Sequence, residues 1–273
     1  MIFDVEIKLY LYIWNNLLTP KTMKSSLDFT FNKVFFCALL GLTIINFLVT
    51  FIGDSLLLKT AMALFIPVFL ICYLVKHKSL GFVFVSFLLF SFLGDMSLSF
   101  FTNETFIKVS SILYFLSYLY LIAIIIPKFK LLDVKKLIGV YLLGVFIINI
   151  FFLYTLYSVL QVIIPDKTEV LLFGLKNLSL IVLAFVSFGV YLNTQSRQSI
   201  LFLVAVIFIA FSTILNYVNL YYLYHWSFEM LYRVLYGIGL YFIFKYVIAD
   251  NKSKKNILEI KKAFYSDNKI ISA

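Results

Sequence analysis

Apolar residues arrive in long unbroken runs along this chain, and polar residues gather in short clusters between them. Eight runs approach membrane-spanning length, at about 34–52, 56–75, 80–100, 107–126, 137–159, 170–192, 199–221 and 229–248. A helix needs about 20 apolar residues to cross roughly 30 Å of hydrocarbon. The runs do not alternate apolar with polar, as the strands of a membrane barrel must. Lipid offers the backbone no hydrogen-bond partners, so only helices remain. The pattern predicts an all-α polytopic bundle of eight spans. Gly53-Asp54, Lys76-His77-Lys78-Ser79 and Asn193–Gln198 leave no room for a soluble domain between spans. Pro67, in the middle of the second run, predicts a kink there. The second and sixth runs are the weakest, because they hold Lys59 and Lys176. Each lies near a span end, where a lysine stem lets its ammonium reach the interface.

Composition agrees with the pattern. The 273 residues are 63% hydrophobic and 13% charged, where a soluble protein is about half apolar and roughly a quarter charged. That excludes a soluble enzyme, a disordered chain and a disulfide scaffold. Cys37 and Cys72 both fall inside apolar runs and read as small buried hydrophobes. His77 and His225 are not near a cysteine, so no metal and no cofactor is expected. No glycine-rich phosphate loop, serine elbow or zinc-spaced histidine pair appears. Their absence argues against ATP-driven transport, serine hydrolysis and zinc proteolysis.

The net charge of +10 follows from topology. On the eight-span reading, 18 of the 23 basic residues fall on one side, from Lys8 through Lys128 and Arg197 to Lys269. Only Lys59, Lys108, Lys167, Lys176 and Arg233 fall on the other. The positive-inside rule then puts both termini in the cytoplasm of an integral membrane protein, expected in a bacterial inner membrane. Charges placed this way predict no nucleic-acid binding. Residues 1–30 hold a short aromatic stretch with Tyr10, Tyr12 and Trp14, read as an interfacial helix. Residues 31–250 form the transmembrane domain, and 251–273 a basic cytoplasmic tail.

Few polar groups lie inside the spans, so each is informative. Asp95 is the sharpest, since a carboxylate in hydrocarbon costs several kcal/mol unless neutral, paired or facing water. In a cavity it is suited to general acid chemistry; the alternative is a structural hydrogen bond to a neighbouring helix. Ser91 lies one helical turn before it, and Gly94 allows close helix approach. Asn46, Lys59, Lys176, Asn177, Asn216, Asn219, Glu229 and Arg233 are expected in the same half of the membrane. Lys59, Lys176 and Arg233 are candidate partners for Asp95. Glu229 and Arg233, four apart on one helix, also make a local ion pair. Asn149, near the middle of the fifth span, is expected to join helices.

The segment Phe90-Ser91-Phe92-Leu93-Gly94-Asp95-Met96-Ser97-Leu98 resembles the Ser-x-x-Gly-Asp-x-x-Leu signature of the YhhN family of lysoplasmalogenases. Pro67, Tyr120 and Ser212 align with further family positions. Ile66, Ser117 and Thr213 stand where the family carries a lysine, a histidine and a second acid. The resemblance implies an eight-span fold from about residue 35 to 248. It also implies hydrolysis of the vinyl ether bond of a lysoplasmalogen, with Asp95 as acid and a membrane lysolipid as partner. Glu229 is the candidate second acid. Ser91, Lys59, Ser212, Thr213, Asn216, Arg233 and Tyr120 are the candidate substrate-binding residues. Thr213 cannot titrate near neutral pH, so an inactive amphiphile-binding or transport-like protein is the alternative.

Overall fold

The computed structural model describes residues 25–53, 55–75, 80–100, 104–129 and 136–271. The aromatic stretch read as an interfacial helix lies outside them up to residue 24, as does the side chain of Lys59. The described chain is helical throughout: α1 (Ser25–Ile52), α2 (Ser55–Ala63), α3 (Phe65–Leu74), α4 (Phe82–Phe100), α5 (Glu104–Ile125), α6 (Lys136–Ile163), α7 (Lys167–Thr194), α8 (Arg197–Tyr221) and α9 (Trp226–Ile271), with a 3-10 turn at Ile126–Lys128. Six of these, α1 and α5 to α9, contain stretches long and apolar enough to cross a membrane. Two shorter apolar segments, Thr60–Leu74 and Phe82–Leu98, stand where the second and third runs were read. The chain is a multi-span bundle of apolar helices.

The second run is not one continuous helix. Leu64 breaks it, between α2 and α3. The break falls three residues before Pro67 for a physical reason. Proline lacks the N–H that would bond four residues back, and its ring crowds that carbonyl, which here belongs to Ala63. The ladder holds on either side of the break, with Leu64 N–H donating to Thr60 at 3.2 Å and Val68 N–H donating to Leu64 at 3.1 Å. Asn46, fully buried on α1, spans to this bent segment by donating to the Ala61 carbonyl at 3.3 Å.

Short connections fold each helix back on a neighbour. Asp166 caps α7 by accepting from Thr168 N–H at 2.8 Å. The Lys108 ammonium, and then the Thr168 N–H, hold its carboxyl below the usual carboxylate range. A depressed carboxyl lends its stability above the unfolded pKa and loses it as pH falls through the folded one. Gln195 ends α7 in the left-handed region, at φ 44°. Ser196 then opens α8 with a capping box to Ser199.

Aromatic rings fill the core between α1, α3, α4 and α9. The Phe244 ring lies 5.2 Å from Phe84 and 5.8 Å from both Phe35 and Phe69. Polar fasteners close the same end. Lys128 bonds Asp250, and Asn251 donates to the Tyr73 hydroxyl at 3.2 Å. α6 is the least buried of the long apolar helices. Asn149 is exposed on it and donates to its own helix, at the Val145 carbonyl 2.8 Å away. It does not join helices, because among the described residues α6 presents that face to no neighbour.

α9 approaches α3 and α8 at two glycines. A Cβ on Gly237 would stand 2.3 Å from the Phe65 ring, and one on Gly239 2.7 Å from Ile209. Phe65 has no exposed surface and little room to retreat. Gly237→Ala should therefore destabilise the protein by about 1–3 kcal/mol through overpacking. Thermal unfolding in detergent measures the loss, and Phe65→Leu in the same chain should recover part of it. An unchanged melting temperature in Gly237→Ala would contradict this packing.

Candidate functional site

Polar side chains concentrate where α4 and α8 finish and α5, α7 and α9 begin. Asp95 on α4 has no exposed surface. Its two carboxyl oxygens are held by two different helices. Tyr114 on α5 donates to Oδ1, and Tyr236 on α9 donates to Oδ2 at 2.9 Å. Gly94 eases the first contact: a Cβ there would stand 3.3 Å from the Tyr114 ring, which would have to give by a few tenths of an ångström. Two further bonds close the α4–α5 seam. Ser110 Oγ donates to the Gly94 carbonyl at 3.2 Å, and Ser91 Oγ shares a hydrogen bond with Ser117 Oγ at 2.6 Å.

Ser91 thus spends its hydroxyl on Ser117, one turn away from Asp95. Ser212 on α8 donates to the Tyr232 carbonyl at 2.7 Å, joining α8 to α9. Thr213 donates to Ile209 at 2.9 Å and lies 3.3 Å from the Tyr118 hydroxyl. Tyr120 stacks on Phe90 at 5.5 Å, away from the carboxyl. Glu229 accepts from Arg233 at 2.7 Å and from the Tyr224 hydroxyl at 2.8 Å. Both members of that ion pair are buried. Among the described residues, Asp95 is held by two tyrosines, where the sequence suggested a lysine or arginine.

A cavity of about 40 Å³ lies beside this cluster. Tyr114, Glu169, Lys176, Thr213, Asn216 and Tyr221 contribute its polar wall. Of the sequence candidates, Thr213 and Asn216 reach it. Tyr114 joins the cavity to Asp95, since it lines one and its hydroxyl bonds the other. Glu169, buried in the first turn of α7, accepts from Tyr221 at 2.9 Å. The Lys176 ammonium lies 5.5 Å from the Phe173 ring and 5.9 Å from the Tyr114 ring.

Sequence reasoning singled out Asp95 but missed Tyr236 and Glu169. Tyr236 lies 141 positions from Asp95 in the chain. It sits in an aromatic-rich helix where nothing distinguishes it from its neighbours. Glu169 sits just inside a span start, where a carboxylate passes for an interfacial charge, yet it is buried. Among the described residues, no group of three or more His, Cys, Asp and Glu is placed to hold a metal ion.

The arrangement can present a carboxyl group, shielded from lipid and held by two hydroxyl donors, next to a polar cavity. Donors to both oxygens fix the carboxyl's orientation. The chain matches no family model, no curated protein and no solved structure.

Tyr236→Phe strips one donor from a buried carboxyl and should cost about 1–3 kcal/mol. In a double-mutant cycle with Asp95→Asn the two losses should overlap instead of adding. Fully additive losses in detergent unfolding would show that the bond contributes nothing.

Proposed function

We propose that this protein is a membrane lipid hydrolase of the YhhN type, acting on the vinyl ether bond of a lysoplasmalogen or a related lysolipid. The carrying observation is Asp95, fully buried, held by Tyr114 and Tyr236, and joined through Tyr114 to a polar cavity. The eight apolar runs are then eight spans. The asymmetry of basic residues places both termini in the cytoplasm of a bacterial inner membrane.

The chemistry needs an acid and a water, with no metal or organic cofactor. A proton from the Asp95 centre adds to the outer alkenyl carbon of the enol ether, leaving an oxocarbenium ion. Because Tyr114 stands between Asp95 and the cavity, the proton passes through its hydroxyl. Water then adds to the carbon bearing the ether oxygen and returns a proton. The hemiacetal collapses to a fatty aldehyde and the glycerol alcohol. General acid catalysis of this kind contributes roughly 10²–10⁴ in rate. Glu229 is a poor second acid in this geometry, because Arg233 and Tyr224 occupy its oxygens.

A second reading is a protein that binds an amphiphile without cleaving it. Thr213 favours it, since a hydroxyl at the cavity wall stands where the resembled family places a carboxylate. Purified protein incubated with a lysoplasmalogen separates the two. The hydrolase reading expects aldehyde release that falls by at least about 100-fold in Asp95→Asn. Absence of aldehyde from pH 5 to pH 8, with the lipid retained by the protein, would favour the binding reading.

A further inference from the structure

A carboxyl with no exposed surface cannot exchange its proton with water directly. Asp95 is such a group, and its two hydrogen-bonded arms lead to different places. One arm runs through Tyr236, which sits beside Ser91, and on to Ser117. All three side chains are buried, and none of them lines the cavity beside Tyr114. The other arm runs through Tyr114, which lines the cavity between α4, α5, α7 and α8.

The cavity suits water. At about 40 Å³ it has room for roughly three molecules. Its wall offers Ser110, Ser111, Glu169, Lys176 and Asn216 as partners. Among the described residues, the Lys176 ammonium faces aromatic rings and no carboxylate within ion-pair distance. An ammonium in hydrocarbon without an ion pair is costly, and water in the cavity would relieve that cost. Glu169 lies seven residues closer to the start of α7 than Lys176, about 10 Å along the axis. The cavity therefore leads from the helix ends down to Tyr114.

We propose that this cavity is the water and proton inlet of Asp95, with Tyr114 as the relay between them. Glu169 stands at its mouth, and Lys176 keeps its middle wet. The proposal rests on Asp95 being a working acid, but its test needs no turnover. After Asp95 has given up its proton, it takes the one on Tyr114 Oη along the hydrogen bond already in place. The Tyr114 oxygen then takes a proton from a hydronium ion in the cavity. One O–H bond breaks and one forms at Tyr114. No charge stays on the ring, and one proton has moved from water to Asp95. Tyr114 hands the proton on, and the other residues lining the cavity are positioning residues in this scheme.

Infrared spectroscopy of the purified protein in D₂O tests it. The carboxylic C=O band of Asp95 is assigned by its loss in Asp95→Asn, at a pH low enough to protonate the group. Its shift on deuteration is then timed. Tyr114→Phe removes the relay, and Ser111→Leu fills the cavity while leaving the relay intact. Each should slow exchange by at least about tenfold, in protein shown by thermal unfolding to be folded. Ser117→Ala, on the closed arm and not bonded to Asp95, should exchange at the wild-type rate. Wild-type exchange in both Tyr114→Phe and Ser111→Leu would overturn the inlet. So would slow exchange in Ser117→Ala alone. Failure to cleave a lysoplasmalogen would instead remove the hydrolase reading and leave the exchange rates unchanged.

Discussion

Hydrocarbon supplies no hydrogen bonds, so a carboxyl group placed within a membrane bundle must find its partners in protein. Asp95 finds them on two other helices, Tyr114 on α5 and Tyr236 on α9. That demand shapes its surroundings. Gly94 lets the Tyr114 ring approach without giving way to a Cβ. Ser91, Ser110 and Ser117 then satisfy the polar groups left along the α4–α5 seam. α9, drawn in by Tyr236, lies close enough to α3 and α8 that Gly237 and Gly239 leave no room for a methyl group. The aromatic core at the other end closes the same helices by dispersion, without the directional constraint.

The helices were legible because lipid enforces their length and leaves polar residues only where they are tolerated. Where two forces competed, the reading was less complete. Pro67 marked a bend, but the break appears at Leu64, because proline acts on the carbonyl four residues back. Asn149 looked like interhelical glue. It bonds its own helix instead, since no helix among the described residues covers that face of α6. Asp95 stood out because an acid is rare in such surroundings. Its tyrosine partners did not, because among 19 tyrosines a hydroxyl is not rare. Which of them meets the carboxyl depends on helix packing, which one sequence does not encode locally.

The same logic separates the two carboxyl centres at this end of the bundle. Glu229 answers its burial with a cation four residues along its own helix, a pairing visible in the sequence. Removing either partner would leave the other charged and buried. Asp95 answers its burial with hydroxyls that are themselves able to pass a proton. The oxygens of Glu229 are occupied by an arginine and a tyrosine of its own segment, whereas Asp95 is held by hydroxyls, one of which lines a polar cavity. That difference is why we propose the chemistry at Asp95 and a structural role for Glu229.

The central claim is that Asp95 is the working group of a protein that transforms a membrane lipid. It is tested most directly by comparing the lipids of a deletion strain with those of strains complemented by wild-type protein and by Asp95→Asn. The account predicts that one amphiphile accumulates on deletion, that the wild type clears it, and that Asp95→Asn, present in the membrane at equal level, does not. Clearance by Asp95→Asn as complete as by the wild type would contradict it.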